Sequence, residues 1–93
     1  MKLVSITPSD RKDKKMVAKF ENPKRTVHFG QAGSTTYLDD KNKDRRAAYI
    51  ARHKVNEDFN NPTSPGALSR YILWGNSTSL QKNISAFKKR FNL

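Results

Sequence analysis

Cysteine is missing from all 93 residues, which rules out disulfides and thiolate-held zinc and suits a reducing compartment. No run comes near the ~20 apolar residues that a membrane span needs, and the first residues lack the apolar stretch of a signal peptide. The expectation is a soluble, internal protein, so the acceptor-like triplets Asn76-Ser77-Thr78 and Asn83-Ile84-Ser85 are read as chance. Histidine is scarce as well: His28 and His53 fall on different predicted elements, neither with a second ligand at metal spacing. Acidic residues are few, and none follows Asp58. The adjacent carboxylates Asp39-Asp40 and Glu57-Asp58 are read as helix caps and local charge balance, because sequence neighbours rarely converge on one substrate as an acid–base pair must. Serine and threonine abound, but none has the histidine or lysine partner that marks a nucleophile. These absences predict a non-catalytic protein with no cofactor, no metal and no small-molecule substrate.

What the chain does have is positive charge. Nineteen basic against 8 acidic residues give +11, spread over both halves: 12 against 6 in residues 1–46, 7 against 2 in residues 47–93. This is no neutral domain with a basic tail. Such a field draws a protein toward polyanions, whether nucleic acid, anionic lipid or an acidic protein surface. With 34% apolar residues the chain can build one thin core, and its length fits a single domain over 1–93.

The expected fold is α+β, a small N-terminal antiparallel hairpin or three-stranded meander followed by three short helices. Residues 2–7 (KLVSIT), 14–20 (KKMVAKF) and 25–29 (RTVHF) read as strands, with turn material at Pro8–Asp13 and a break at Asn22-Pro23. Their alternation is imperfect, so an arm that orders only on a partner stays open. Residues 1–29 thus form a β-rich segment, 34–38 stay extended, and 39–93 form a helical segment. Asp39 and Asp40 are expected to cap a helix over 41–55, with Ala47, Ile50, Ala51 and Val55 on its apolar side and Lys41, Arg45, Arg52 and Lys54 opposite. Ser64 as cap and Pro65 at the first position open a helix to Trp74, ended by Gly75 in a left-handed cap. Leu68, Tyr71 and Ile72 form its core stripe, leaving Trp74 half buried, either core or contact. Thr78 or Ser79 caps a last helix over 79–91, on which Leu80, Ile84, Phe87 and Phe91 recur as one apolar stripe.

The stretch FGQAGS (29–34) invites comparison with a phosphate loop. It lacks the Gly-Lys-Ser/Thr ending of a nucleotide loop and the third glycine of a dinucleotide fingerprint. A bend after a strand is the plainer reading. If it holds anything, it is a single backbone phosphate on its amides.

One pattern exceeds composition. Phe29-Gly30, Tyr49-Ile50-Ala51-Arg52-His53, Glu57-Asp58-Phe59, Gly66 to Trp74 (GALSRYILW) and Lys88-Lys89-Arg90-Phe91 occur in that order. In this frame, spanning about residues 28–91, the chain resembles a family of small basic proteins of large nucleocytoplasmic DNA viruses, chlorovirus-like and their relatives. The resemblance implies a viral gene product and, by size and charge, a component of the particle. It hands over no catalytic residue, and Arg52 and His53 point about 100° apart on a helix, against their acting as a pair.

Two functions follow as expectations. The first is a virion structural protein, a minor capsid or internal cementing component docked on capsid or other virion proteins. Such a protein would reside in the virion, and in host cytoplasm or nucleus during assembly. The second is a sequence-nonspecific DNA-binding or condensing protein of such a virus, gripping double-stranded DNA by its phosphates, with Tyr37, Tyr49 and Trp74 free to stack on unpaired bases. An anionic membrane surface is a further partner for the charge. The residues expected to meet a partner or polyanion are Arg45, Arg46, Arg52, Arg70, Trp74, Lys82, Lys88, Lys89 and Arg90.

Overall fold

The computed structural model describes residues 1–93. Three antiparallel strands, β1 (Lys2–Pro8), β2 (Lys14–Glu21) and β3 (Arg25–Gln31), pair in the order β1-β2-β3. The meander expected at the N-terminus is therefore present, and its imperfect alternation has a physical cause. Leu3 pairs with Phe20 but Ser5 pairs with Lys19, so Val4 is an extra residue in a β-bulge. The bulge lets Leu3 and Ile6, three apart, face the same side, and it turns Val4 out to solvent. Met16, Ala18 and Phe20 of β2 and Val27 and Phe29 of β3 share that inner face.

The helices differ from expectation at their starts. The stretch 34–38 is not extended to its end: Tyr37–Asp40 form a one-turn helix, α1, closed by a capping box in which Asp39 Oδ2 accepts from the Thr36 N–H (2.8 Å) and hydroxyl (3.0 Å). Lys41, left-handed at φ 55°, ends it. The cap of the next helix, α2 (Lys43–His53), is then Asn42 and not an aspartate, its side chain accepting from the N–H groups of Asp44 and Arg45. The apolar side assigned to α2 also needs correction. Ala47, Ala51 and Val55 are exposed, Val55 at 74% and beyond the helix end, and no α2 residue is fully buried. The partly buried residues of α2 are Arg46, Tyr49, Ile50 and His53, so of the expected apolar side Ile50 alone turns inward.

Ser64 caps α3 (Pro65–Leu68) as expected, accepting from Ala67 N–H at 3.1 Å. The helix widens at once into a π-helical turn, Ser69–Leu73, closed by the Trp74 N–H on Ser69 O. Widening lets this segment bury residues all round it: Ala67, Leu68, Ser69, Ile72 and Leu73 are buried, not one stripe alone. It lies between the sheet and α4 (Leu80–Phe91), whose cap is Ser79. Trp74 is 8% exposed, a core residue and not a half-buried one. Gly75 is no left-handed cap, since Gly30 and Gly33 are the glycines with positive φ. It is glycine because a Cβ there would sit 2.7 Å from the Asn83 amide and against the Tyr71 carbonyl. Sheet and helix side chains join in one hydrophobic cluster that includes Leu3, Phe20, Phe29, Leu68, Ile72, Leu73, Trp74 and Phe87.

Candidate polyanion-binding surface

Of the nine residues singled out by sequence, eight divide into three groups and Arg45 stands apart. Arg46 is structural: its Nε donates to Gly75 O (2.8 Å) and Trp74 O (3.2 Å), and its Nη2 donates to Asn76 Oδ1. Trp74 is structural as well, its ring stacked on Tyr49 at 4.4 Å and 7° between planes. The other side of Tyr49 carries His53, 4.1 Å away. With Tyr49 occupied on both faces and Tyr37 buried, the aromatic rings expected to stack on unpaired bases are used inside the fold. Burial first, and then the nearby Glu57 carboxylate, push the Tyr49 hydroxyl up to about 12.

Arg70 and Arg90 form the second group. Arg70 Nη1 donates to Trp74 O at 3.1 Å, and both guanidinium groups pack over the Tyr71 ring, at 4.9 and 4.4 Å. Burial depresses the Arg70 pKa from its ordinary value, and the charges of Arg46 and Arg90 add to this. Three guanidiniums are thereby gathered around one helix end, whose carbonyls accept from two of them. Arg70 and Arg90 also line a small cavity of about 150 Å³ with Asn76 and Asn83.

The third group has no protein partner: the exposed Arg52 on α2 and Lys82 and Lys89 on α4, with the half-buried Lys88 beside them. The ion pairs Arg11–Asp13, Lys15–Asp39 and Arg45–Asp40, and the close contact of His53 with Glu57, involve none of them. Arg45 is thus half committed, to Asp40 at 2.7 Å. Residues 59–93 hold no carboxylate side chain at all, so α4 carries charges of one sign along its length. Lys88, Lys89 and Arg90 in its last turn also meet the negative end of the helix dipole, which favours their placement there.

Sequence reasoning missed two features here. Asn83 lies at 2% exposure in the middle of α4, its Nδ2 donating to Ile72 O (2.9 Å) and Ser77 O (2.8 Å) and its Oδ1 accepting from Ser77 N–H (3.1 Å). Its position three residues after Leu80 and four before Phe87, on the apolar stripe itself, was the signal that could have found it. The second is an open cleft of about 590 Å³ between the loop 31–35 and α2, lined by Gln31 to Thr35, Arg45, Ala48, Tyr49, Arg52, His53 and the edge of Trp74. No group of three or more histidine, aspartate or glutamate side chains is gathered closely enough to hold a metal ion, and no helix is long and apolar enough to cross a membrane.

No curated protein and no solved structure shows significant similarity to the chain. Residues 4–53, from the bulge of β1 to the last residue of α2, match a family of unknown function, and the chain belongs to that family, DUF5754.

Proposed function

We propose that this chain is a non-catalytic, sequence-nonspecific binder of nucleic-acid backbone that uses the outer face of α4. The observation that carries the reading is the set Lys82, Lys88 and Lys89: three ammonium groups on one helix, none ion-paired, on a third of the chain without a carboxylate. Lysines of this kind neutralise phosphates and release counterions, a sequence-independent source of affinity. Arg70 and Arg90 extend the field from behind, held in place by Tyr71.

The test is a salt titration of binding to duplex DNA. Replacing Lys82, Lys88 and Lys89 together by glutamine should lower the slope of log affinity against log salt by about 2.7, at about 0.9 for each phosphate no longer neutralised. Arg90 is left alone because it packs on Tyr71. An unchanged slope would take α4 out of the interface.

A second reading, a minor structural component of a virion seated against a larger subunit, is favoured by one observation. Ala47, Ala51 and Val55 run along the exposed side of α2 and just past its end as a small apolar stripe flanked by Arg52 and Lys54. In that reading Ala51→Glu blocks incorporation into particles while leaving DNA affinity unchanged.

A further inference from the structure

The glycine-containing loop between β3 and α1 stands across the cleft from two arginines, and the proposed function leaves it unused. Gly33 holds φ 77°, and a Cβ there would meet nothing within 4 Å. This glycine is therefore not demanded by packing; it lets the backbone turn. The turn leaves donors free. Ala32 N–H bonds to Asp13 O and Ser34 N–H to Gln31 O, whereas the N–H groups of Gly33 and Thr35 make no hydrogen bond within the protein. Lys15 Nζ fixes the loop from outside, donating to Ser34 O at 3.0 Å.

Across the cleft, α2 presents Arg45 and, about two turns further on, the neighbours Arg52 and His53. Arg52 has no partner in the protein, and Arg45 spends one nitrogen on Asp40. The neighbouring acids are already engaged, Asp39 by Thr36 and Lys15, Asp40 by Arg45 and Glu57 by His53, and no carboxylate lines the cleft itself. Free backbone amides on one wall and guanidinium groups on the other suit an anion with several acceptor oxygens. Both walls lie inside residues 4–53, the stretch that matches the family, whereas α4 lies outside it.

We propose that the cleft between Gln31–Thr35 and α2 binds a phosphate group, through the Gly33 and Thr35 amides on one side and the Arg52 and Arg45 guanidiniums on the other. The phosphate belongs either to a nucleic-acid backbone or to a free phosphomonoester. The site does not rest on the α4 face and stands if that reading fails.

The experiment is an amide NMR titration of the full, nitrogen-15-labelled chain with inorganic phosphate, ionic strength being held with chloride. The Gly33 and Thr35 signals should move in a saturable way while those of Lys82 and Lys89 stay in place. The exposed, unengaged Arg52→Gln change should weaken the phosphate affinity about tenfold without disturbing the rest of the spectrum. The α4 triple glutamine variant should titrate like the parent. Two further probes separate the sources. A short DNA duplex that moves the same loop signals more tightly than phosphate, and loses this in Arg52→Gln, identifies backbone phosphate. A nucleoside monophosphate that saturates them below the duplex concentration identifies a phosphomonoester. The proposal is overturned if the loop amides move no more than those of α4, or if Arg52→Gln titrates like the parent.

Discussion

The Tyr49 ring lies flat on the Trp74 ring, 4.4 Å away, and this stack helps hold α2 against the body of the protein. Arg46, one turn earlier on the helix, binds the Trp74 and Gly75 carbonyls through its guanidinium, and Arg45 pairs with Asp40 of α1. A helix held mainly by polar contacts, with no fully buried residue, can open on its own. Tyr49→Ala should raise amide exchange through Lys43–His53 while the strands keep their protection. Trp74→Ala, in contrast, removes a core side chain and should cost about 3–5 kcal/mol of global stability, read by denaturant unfolding. Equal protection losses in sheet and helix for Tyr49→Ala would mean that α2 is no separate unit.

Asn83 satisfies three backbone groups at the turn between the π-helical segment and α4. Asn83→Ala leaves the buried Ile72 carbonyl and the partly buried Ser77 groups without this partner and should cost about 2–4 kcal/mol, more than the loss of one typical hydrogen bond. An Asn83→Ala variant as stable as the parent would show that water replaces the amide.

Gly75→Ala tests the close approach of the same two segments. A methyl group meets the Asn83 amide and the Tyr71 backbone, and at least one of those neighbours is not free to move. The expected loss is about 1–3 kcal/mol, as for other overpacked sites. Gly33→Ala meets no neighbour, so its cost should be that of the left-handed backbone alone, about 1–2 kcal/mol. A larger penalty at Gly33 than at Gly75 would reverse this assignment.

How much of this was legible beforehand depended on whether the signal was local. The three strands, the Ser64 and Ser79 caps and the α4 stripe follow from periodicity and side-chain hydrogen bonding within a few residues. The facing of α2 did not, because Ala47, Ala51 and Val55 have the right spacing but too little area to compete with Tyr49 once Trp74 offers it a ring. For the same reason composition could count Arg46 and Arg70 as free charges, while the structure engages both on the carbonyls of Trp74 and its neighbour. The cleft was visible only as FGQAGS; its second wall lies more than ten residues away and needs the fold to bring it near.

Stability should respond to pH at both extremes through named groups. Tyr49 is held neutral, its pKa raised from 10.0 to about 12, so the native state keeps a proton that the unfolded chain gives up. That stabilisation is complete below pH 10 and is lost as pH rises toward 12. Subtracting the Tyr49→Phe curve from the parent curve isolates it, and a flat difference would sink the assignment.

Asp39 works in the opposite direction. The Thr36 N–H holds its carboxyl below the ordinary value of 3.8; partial desolvation opposes this, and the Thr36 hydroxyl and Lys15 reinforce it. Its contribution is present above that pH and fades as pH falls through the lowered folded value. Asp39→Asn should therefore unfold less steeply with acid than the parent does, as followed by circular dichroism.

The bulge at Val4 carries a last consequence. A three-stranded sheet has two open edges, each a template on which another copy of the chain can add a strand. On β1 the register shift between Leu3 and Ser5 interrupts the regular ladder and Pro8 ends it without a donor, while β3 begins at Arg25 and turns away at Gly30 with φ 78°. Added to a repulsion of +11 against +11, these irregular rims make the molecule a poor mate for itself.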